Sequence, residues 1–325
     1  MKPFAYIRPG TLEDAARQLG GRGAVGCAGG TDLLDRMKER IEAPRILVDL
    51  KGALDARIEL VDGGQALRIG AAATLAAVAG SPLVLKHFPA LVRAVETAAT
   101  PQIRNLGTIG GNLCQRPRCW YFRARDFECM RRGGRGCYAQ EGENRYHAVF
   151  GNELCAITHP SNAAPALLAY DATLGLGGAG ETRRLSIHEF FVGCDEDVQR
   201  ENILEAGTLV TEIRLALPAA SVRAAYAELK EKQSNDWALV SVAVVLEPGD
   251  AGLRRAAVAL GHVAPVPMRM PEVEAYLEHK VLTPEVAARA GELATAHATP
   301  LAQNGYKVQL IRVLVKRALL EAAGR

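Results

Sequence analysis

The sequence predicts an α+β protein of two or three domains. Three observations carry this expectation. The chain has 325 residues, long for one compact core. Residues 1–50 interleave short helical and strand signals. Beyond residue 220 strand signals come first and helical ones afterwards, the order of an antiparallel sheet with helices on one side. Composition is that of an ordinary globular chain, 49% hydrophobic and 23% charged. The net charge of +3 gives no reason to expect nucleic acid or a membrane surface as partner.

Along the chain, Thr11-Leu12-Glu13-Asp14 starts a capped helix through Leu19, Ala24–Cys27 reads as a strand, and Arg45–Leu50 as a second. Ile58–Val61 and Ala66–Ile69 form a hairpin through Asp62-Gly63-Gly64. Helical periodicity returns over 74–99, and Ala163–Tyr170 looks helical. Ser186-Ile187-His188-Glu189 is another capping box. Pro218 and the small residues after it mark a boundary near 220. Strands Tyr226–Lys230, Leu239–Leu246 and Arg255–Leu260 follow, then helices Pro271–His279, Pro284–Ala298 and Tyr306–Ala322.

Nothing nears the roughly 18 apolar residues needed to span a bilayer. Met1–Tyr6 has neither a signal-peptide core nor twin arginines, so a cytoplasmic location is expected, or the periplasm if a signal-bearing partner exports the complex.

Two glycine turns carry the first chemical signal. A diphosphate needs backbone N–H donors at close range, and glycine allows that approach. Ala28-Gly29-Gly30-Thr31-Asp32-Leu33-Leu34 offers such a turn after a strand, and Thr108-Ile109-Gly110-Gly111-Asn112 offers a second. Neither is a GxGxxG pattern, so a Rossmann site is not indicated. Each alone reads more readily as a structural turn than as a phosphate site.

Together, AGGTDLL (28–34), IRNLGTIGGN (103–112), HPSN (159–162), ALVSVAVVL (238–246) and NGYKVQLIRVLVKRAL (304–319) resemble the FAD-binding subunits of the xanthine dehydrogenase and carbon monoxide dehydrogenase family. The resemblance runs from FAYIRP (4–9) to the last helix, with its motifs in family order. It implies a two-part FAD-binding domain of the vanillyl-alcohol-oxidase (PCMH) type over 1–220, divided into 1–55 and 56–220, and a small α+β domain over 221–325. It also implies that residues 28–34 and 108–112 hold the FAD pyrophosphate, with Gln102 near the flavin. The family's lysine near the flavin would correspond to Lys230. Where the family has aspartate at the end of HPSD, this chain has Asn162, for which altered detail and not lost binding is expected.

Cysteine usage is the second signal. Five of seven cysteines fall between 114 and 155, against a disulfide framework and for a metal or cluster site. Cys119, Cys129, Cys137 and Cys155 lack the CxxC knuckles of zinc sites, and their uneven spacing suits loops around an iron–sulfur cluster. The seven arginines between 116 and 135 would offset the charge of four thiolates. The plainer reading is a solvated basic loop with buried free cysteines. The segment about 114–158 resembles the [4Fe-4S] insert of periplasmic-type aldehyde oxidoreductases and of 4-hydroxybenzoyl-CoA reductase, closer to the former. Cys114 lies outside the implied ligand set, and Cys27 and Cys194 read as small buried residues.

The resemblance implies an electron-transfer role. Substrate is oxidised at a molybdenum cofactor on a large molybdopterin-binding subunit. Electrons pass through a small [2Fe-2S] subunit to FAD here, then to NAD, a quinone, ferredoxin or oxygen. No nucleophile triad or HExxH motif is present, so no hydroxylating site is expected on this chain. A free-standing flavin oxidoreductase and a zinc-binding assembly module are the competing readings.

Overall fold

The computed structural model describes residues 1–178, 182–232 and 235–324. Strands β1 (Ala5–Ile7), β2 (Ala24–Cys27) and β3 (Ile46–Asp49) form a parallel sheet in the order β1-β3-β2. Parallel neighbours need a crossover. Helix Leu12–Leu19 supplies the first, with Thr11 Oγ1 accepting from the Asp14 N–H at 3.1 Å. Helix Leu33–Lys38 supplies the second. The loop between β2 and this helix is the first glycine turn.

Strands β4 (Ile58–Val61), β5 (Ala66–Gly70), β6 (Thr173–Gly178), β7 (Arg183–Ser186) and β8 (Thr208–Ala216) form an antiparallel sheet ordered β4-β5-β8-β6-β7. The expected hairpin is β4–β5, whose turn places Gly63 and Gly64 at φ +66° and +86°. The periodicity over 74–99 resolves into three helices, Leu75–Gly80, Pro82–His87 and Pro89–Glu96. The two prolines explain the breaks: each lacks the N–H that continues a helix but suits the first turn of the next. Val78, Val84, Leu91 and Val95 pack with Leu67 and Ile69 of β5 in the main core.

Strands β9 (Arg223–Leu229), β10 (Val240–Gly249), β11 (Gly252–Gly261) and β12 (Met268–Arg269) form the third sheet, antiparallel and ordered β12-β11-β10-β9. Helices Pro271–Leu277, Pro284–Leu293 and Tyr306–Ala322 cover one face, where Val242, Val244 and Leu246 meet Ile311, Val315 and Leu319. The other face is covered too: Ala243, Val245, Ala257 and Ala259 join the main core with helix Ala163–Ala169. Burial on both faces accounts for the nearly unbroken apolar run of β10.

The segment 114–158 is irregular, as expected, with one short helix (Trp120–Arg123) and one 3-10 turn (Met130–Arg132). The start of the last helix anchors it. Asn304 Nδ2 donates to the Ala148 carbonyl at 2.9 Å, and Lys307 Nζ donates to the Tyr146 and His262 carbonyls, each at 3.0 Å. Lys307 is buried, and burial pulls its pKa down to about 7. Among the described residues no helix is long and apolar enough to cross a membrane.

Candidate functional site

The two glycine turns, 80 residues apart in sequence, line one cleft of about 540 Å³. Ala28, Gly29, Gly30, Thr31, Asp32 and Leu33 form one wall; Thr108, Gly111 and Asn112 face them, with Asn162 beside them. Among the described residues the N–H groups of residues 28–33 donate to no acceptor in the chain, although the turn joins two ordered elements. Backbone donors without partners at a cleft wall are what a diphosphate requires.

The glycines are needed for more than ligand approach. A Cβ at Gly29 would run into the carbonyl of Leu106, so this glycine lets the first turn rest on the segment leading to the second. Gly30 has φ +72°, a left-handed conformation that glycine adopts without strain. A Cβ at Gly110 would meet Ala71 at 2.9 Å, so this residue packs inward. The second turn is itself the start of a short helix, Ile109–Leu113, whose N-cap Thr108 Oγ1 accepts from the Gly111 N–H at 3.1 Å. Leu34, Ile109 and Gly110 support the cleft from behind, outside its lining. Gln102 is exposed on helix Pro101–Leu106, also outside the lining.

Asp32 anchors the first turn. Its carboxylate pairs with Arg36, Arg118 and Arg123, the last at 2.6 Å, and accepts the Arg116 N–H at 3.0 Å. Burial alone would raise its pKa, but the three guanidinium groups hold it well below the usual carboxylate range. Three arginines surround this one carboxylate, and Arg36, Arg118 and Arg123 line the cleft together with Asp32, Asp35 and Asp236.

Asn162 donates from Nδ2 to Glu228 Oε2 at 2.8 Å. An aspartate here would face that carboxylate with a like charge, so the amide fits its partner. Glu228 also pairs with Lys230 at 2.8 Å, and Lys230 Nζ donates to the Thr97 carbonyl at 2.7 Å. Lys230 thus lies outside the cleft lining, with Glu228 joining it to Asn162. From the neighbouring HPSN residues, Ser161 Oγ donates to Asn112 Oδ1 at 2.6 Å and ties that loop to the second turn.

The cysteines form a second group. Cys137 hydrogen-bonds Cys155, Cys155 hydrogen-bonds Cys194, and Cys119 interacts electrostatically with Cys129 and Cys155. Backbone N–H groups point at three of these sulfurs: Tyr121 and Phe122 at Cys119, Arg131 at Cys129, Ala139 and Ala156 at Cys137. Burial pushes the Cys119 thiol up to about 12. Among the described residues no three His, Cys, Asp or Glu side chains are grouped so as to hold a metal ion.

Cys194 is buried, as expected, and it also joins the group: it hydrogen-bonds Cys155 and receives Arg131 Nη1 at 3.3 Å. Its signal was invisible because it comes from a distant segment, just before a turn. One expectation needs correction: the arginines do not all gather around the thiols. Arg118 and Arg123 bind Asp32, and Arg116 binds Glu201 at 3.1 Å. Arg131 and Arg132 do reach the thiols: both act on Cys129, and Arg131, although paired with Glu201 at 2.5 Å, also acts on Cys155 and Cys194. Cys114 and Cys27 line the glycine-turn cleft instead, and burial pushes the Cys114 thiol up to about 12. His147 was also missed; its Nε2 lies 3.2 Å from Cys119 Sγ.

Residues 2–218 match the FAD binding domain in molybdopterin dehydrogenase. The chain belongs to this family. Residues 224–322 match the CO dehydrogenase flavoprotein C-terminal domain. The aldehyde oxidoreductase FAD-binding subunit of Escherichia coli (strain K12) is 36% identical over 326 residues, covering 99% of both chains. The carbon monoxide dehydrogenase medium chain of Hydrogenophaga pseudoflava is 29% identical, covering 99% of this chain and 98% of its own. A solved structure of carbon monoxide dehydrogenase from the same organism, lacking the Mo-pyranopterin moiety of its cofactor, superposes with a TM-score of 0.78 at 29% identity over 100% of this chain and 99% of that one. The fold is therefore that of the family's FAD subunits, and the relatives are oxidoreductase subunits. FAD is the cofactor that the matched domain binds, and the cleft between the two glycine turns is the feature of this chain whose chemistry suits it.

Proposed function

We propose that this FAD-binding subunit relays electrons within a heterotrimeric molybdenum hydroxylase that oxidises aldehydes, and that it carries a [4Fe-4S] cluster beside the flavin. One observation carries the flavin assignment: two distant glycine turns converge on one cleft, with the N–H groups of residues 28–33 without an acceptor among the described residues and Arg118 and Arg123 in the wall. Ala28–Leu33, Thr108, Gly111 and Asn112 would hold the pyrophosphate, and Asn162 would contact a neighbouring part of the cofactor. Leu34, Ile109 and Gly110 keep the turns in register from behind. Gln102 and Lys230 take no direct contact in this assignment. When bound, FAD exchanges electrons singly or in pairs, whereas iron–sulfur clusters pass one at a time.

Cys119, Cys129, Cys137 and Cys155 are the proposed cluster ligands. Cys137 and Cys155 hydrogen-bond each other, Cys119 interacts electrostatically with Cys129 and Cys155, and backbone N–H groups at Cys119, Cys129 and Cys137 offset part of the rise that burial gives these thiols. The aldehyde assignment rests on the 36% identical Escherichia coli relative, and the two partner subunits, a large molybdopterin-binding and a small [2Fe-2S] one, on the carbon monoxide dehydrogenase likeness. Purification from the native source tests this reading. Three copurifying subunits and aldehyde-dependent reduction of ferricyanide are expected. A lone 34.7 kDa species with full dehydrogenase activity would contradict it.

A further inference from the structure

The side chain of Arg131 is 0% exposed inside the cysteine insert. Its Nη2 donates to Glu201 Oε1 at 2.5 Å and to the Arg200 carbonyl at 3.0 Å, and its Nη1 donates to Cys194 Sγ at 3.3 Å. Glu201 is shared, because Arg116 Nε donates to both of its oxygens at 3.1 Å. One carboxylate between two guanidinium groups leaves a positive charge over. Arg116, 25% exposed, has solvent as well; Arg131 does not. Arg131 Nε also makes no hydrogen bond among the described residues, so this buried cation is short of an acceptor as well as of countercharge. Such a cation is costly unless a negative group faces it.

Sulfur is what it reaches: Arg131 acts on Cys129, Cys155 and Cys194. Neutral thiols cannot balance the charge, whereas an iron–sulfur cluster on four thiolates is negative and can. We propose that Arg131, working with Cys194, raises the reduction potential of the cluster assigned above to Cys119, Cys129, Cys137 and Cys155. The proposal rests on that cluster reading. It adds two residues outside the ligand set that govern how readily the cluster takes an electron.

Charge is the first route. A fixed cation stabilises the reduced, more negative form of its neighbour, and burial keeps salt from screening the attraction. Hydrogen bonding is the second. Cys155 and Cys194 are hydrogen-bonded to each other. As a ligand Cys155 has no proton to give, so Cys194 is the donor, from its S–H to the Cys155 sulfur. Arg131 Nη1 donates to the same Cys194 sulfur and polarises that S–H. Net charge and hydrogen bonds to sulfur are both levers on the potential of an iron–sulfur centre. Reduction adds one electron, and no bond to Arg131 or Cys194 forms or breaks.

The intact complex is titrated potentiometrically and the cubane followed by low-temperature EPR, where faster relaxation separates it from [2Fe-2S] clusters. Arg131→Gln should leave at least tenfold less reduced cluster at the wild-type midpoint, a fall of about 59 mV for a one-electron couple. Arg131→Lys keeps the charge and should restore at least half of that shift. Cys194→Ala removes the relay without touching the ion pairs of Glu201, and should shift the midpoint the same way by less. It carries the test even where Arg131→Gln fails to fold. Arg125→Gln removes an exposed arginine of the same insert and should leave the midpoint unchanged. Iron and sulfide per FAD should stay constant throughout, whereas a merely structural role would lower them and leave the remaining cluster at the wild-type potential. An unshifted midpoint in Arg131→Gln or in Cys194→Ala, or an equal fall in Arg125→Gln, would overturn the proposal and leave the cluster reading standing. Wild-type protein without iron would sink the cluster reading and this proposal with it.

Discussion

Replacing Asp32 with asparagine isolates the arginine cluster that joins the first glycine turn to the cysteine insert. Asp32 is the shared partner of Arg36, Arg118 and Arg123, whose side chains are 8%, 22% and 12% exposed. Removing one partner of a buried ion pair costs about 3–5 kcal/mol, because the charge left behind remains desolvated. Asparagine keeps one acceptor oxygen, so the lower end, about 3 kcal/mol, is expected. At roughly 2–4 °C per kcal/mol for domains of 150–250 residues, the melting temperature should fall by about 6–12 °C. The assay is thermal unfolding of the flavin-free chain. Adding Arg118→Gln to Asp32→Asn should recover part of the loss, since one stranded cation goes with it. The effect also has a pH signature. A carboxylate held below its ordinary value stabilises the fold above the unfolded pKa of about 3.9 and loses that contribution as pH falls toward the folded value. Wild type should therefore exceed the variant by a constant margin above about pH 5 and approach it in stronger acid. A shift under about 2 °C, or strict additivity of the two substitutions, would refute the cluster's structural role.

Three further outcomes follow from the same geometry. Gly29→Ala pushes the first turn off the Leu106 carbonyl, overpacking worth about 1–3 kcal/mol, so FAD should bind roughly five- to a hundredfold more weakly by equilibrium dialysis; unchanged affinity would mean that the turn does not hold the cofactor. Lys307 is buried with its pKa lowered to about 7, so the unfolded chain binds the extra proton between about pH 7 and 10 and stability should rise across that window; Lys307→Met should abolish the rise in urea melts, and an unchanged slope would assign it elsewhere. Asn162→Asp sets a carboxylate against Glu228 and should lower the melting temperature at pH 8 more than at pH 4.5, whereas an equal effect at both would exclude like-charge repulsion.

Periodicity and punctuation made most of the fold legible. Strands β2 and β3, the β4–β5 hairpin and the last helix could all be read locally, because each rests on alternation, caps or a 3.6-residue stripe within its own segment, whereas the three-residue β1 and strands β6 to β8 were not read. The break-up of 74–99 was also in the sequence, in Pro82 and Pro89, but periodicity alone runs across it. Contacts between distant segments were not legible. Nothing near Gly29 announces that its missing side chain makes room for Leu106. Asp32 read as part of a ligand-binding turn, whereas its carboxylate is saturated by arginines from both the adjacent helix and the insert. Cys194 and His147 reach the cysteine group by tertiary folding, so local cysteine density could not include them. The departure at Asn162 became intelligible only with Glu228 beside it.

Iron and acid-labile sulfide per FAD, measured in the purified subunit and in serine variants of the cysteines, bear most directly on the central claim. The account predicts about four irons and four sulfides per flavin beyond any partner's clusters, as one cubane requires. They should be lost in Cys119→Ser, Cys129→Ser, Cys137→Ser and Cys155→Ser and kept in Cys114→Ser and Cys194→Ser. Flavin with no iron, or stoichiometric zinc in its place, would contradict it.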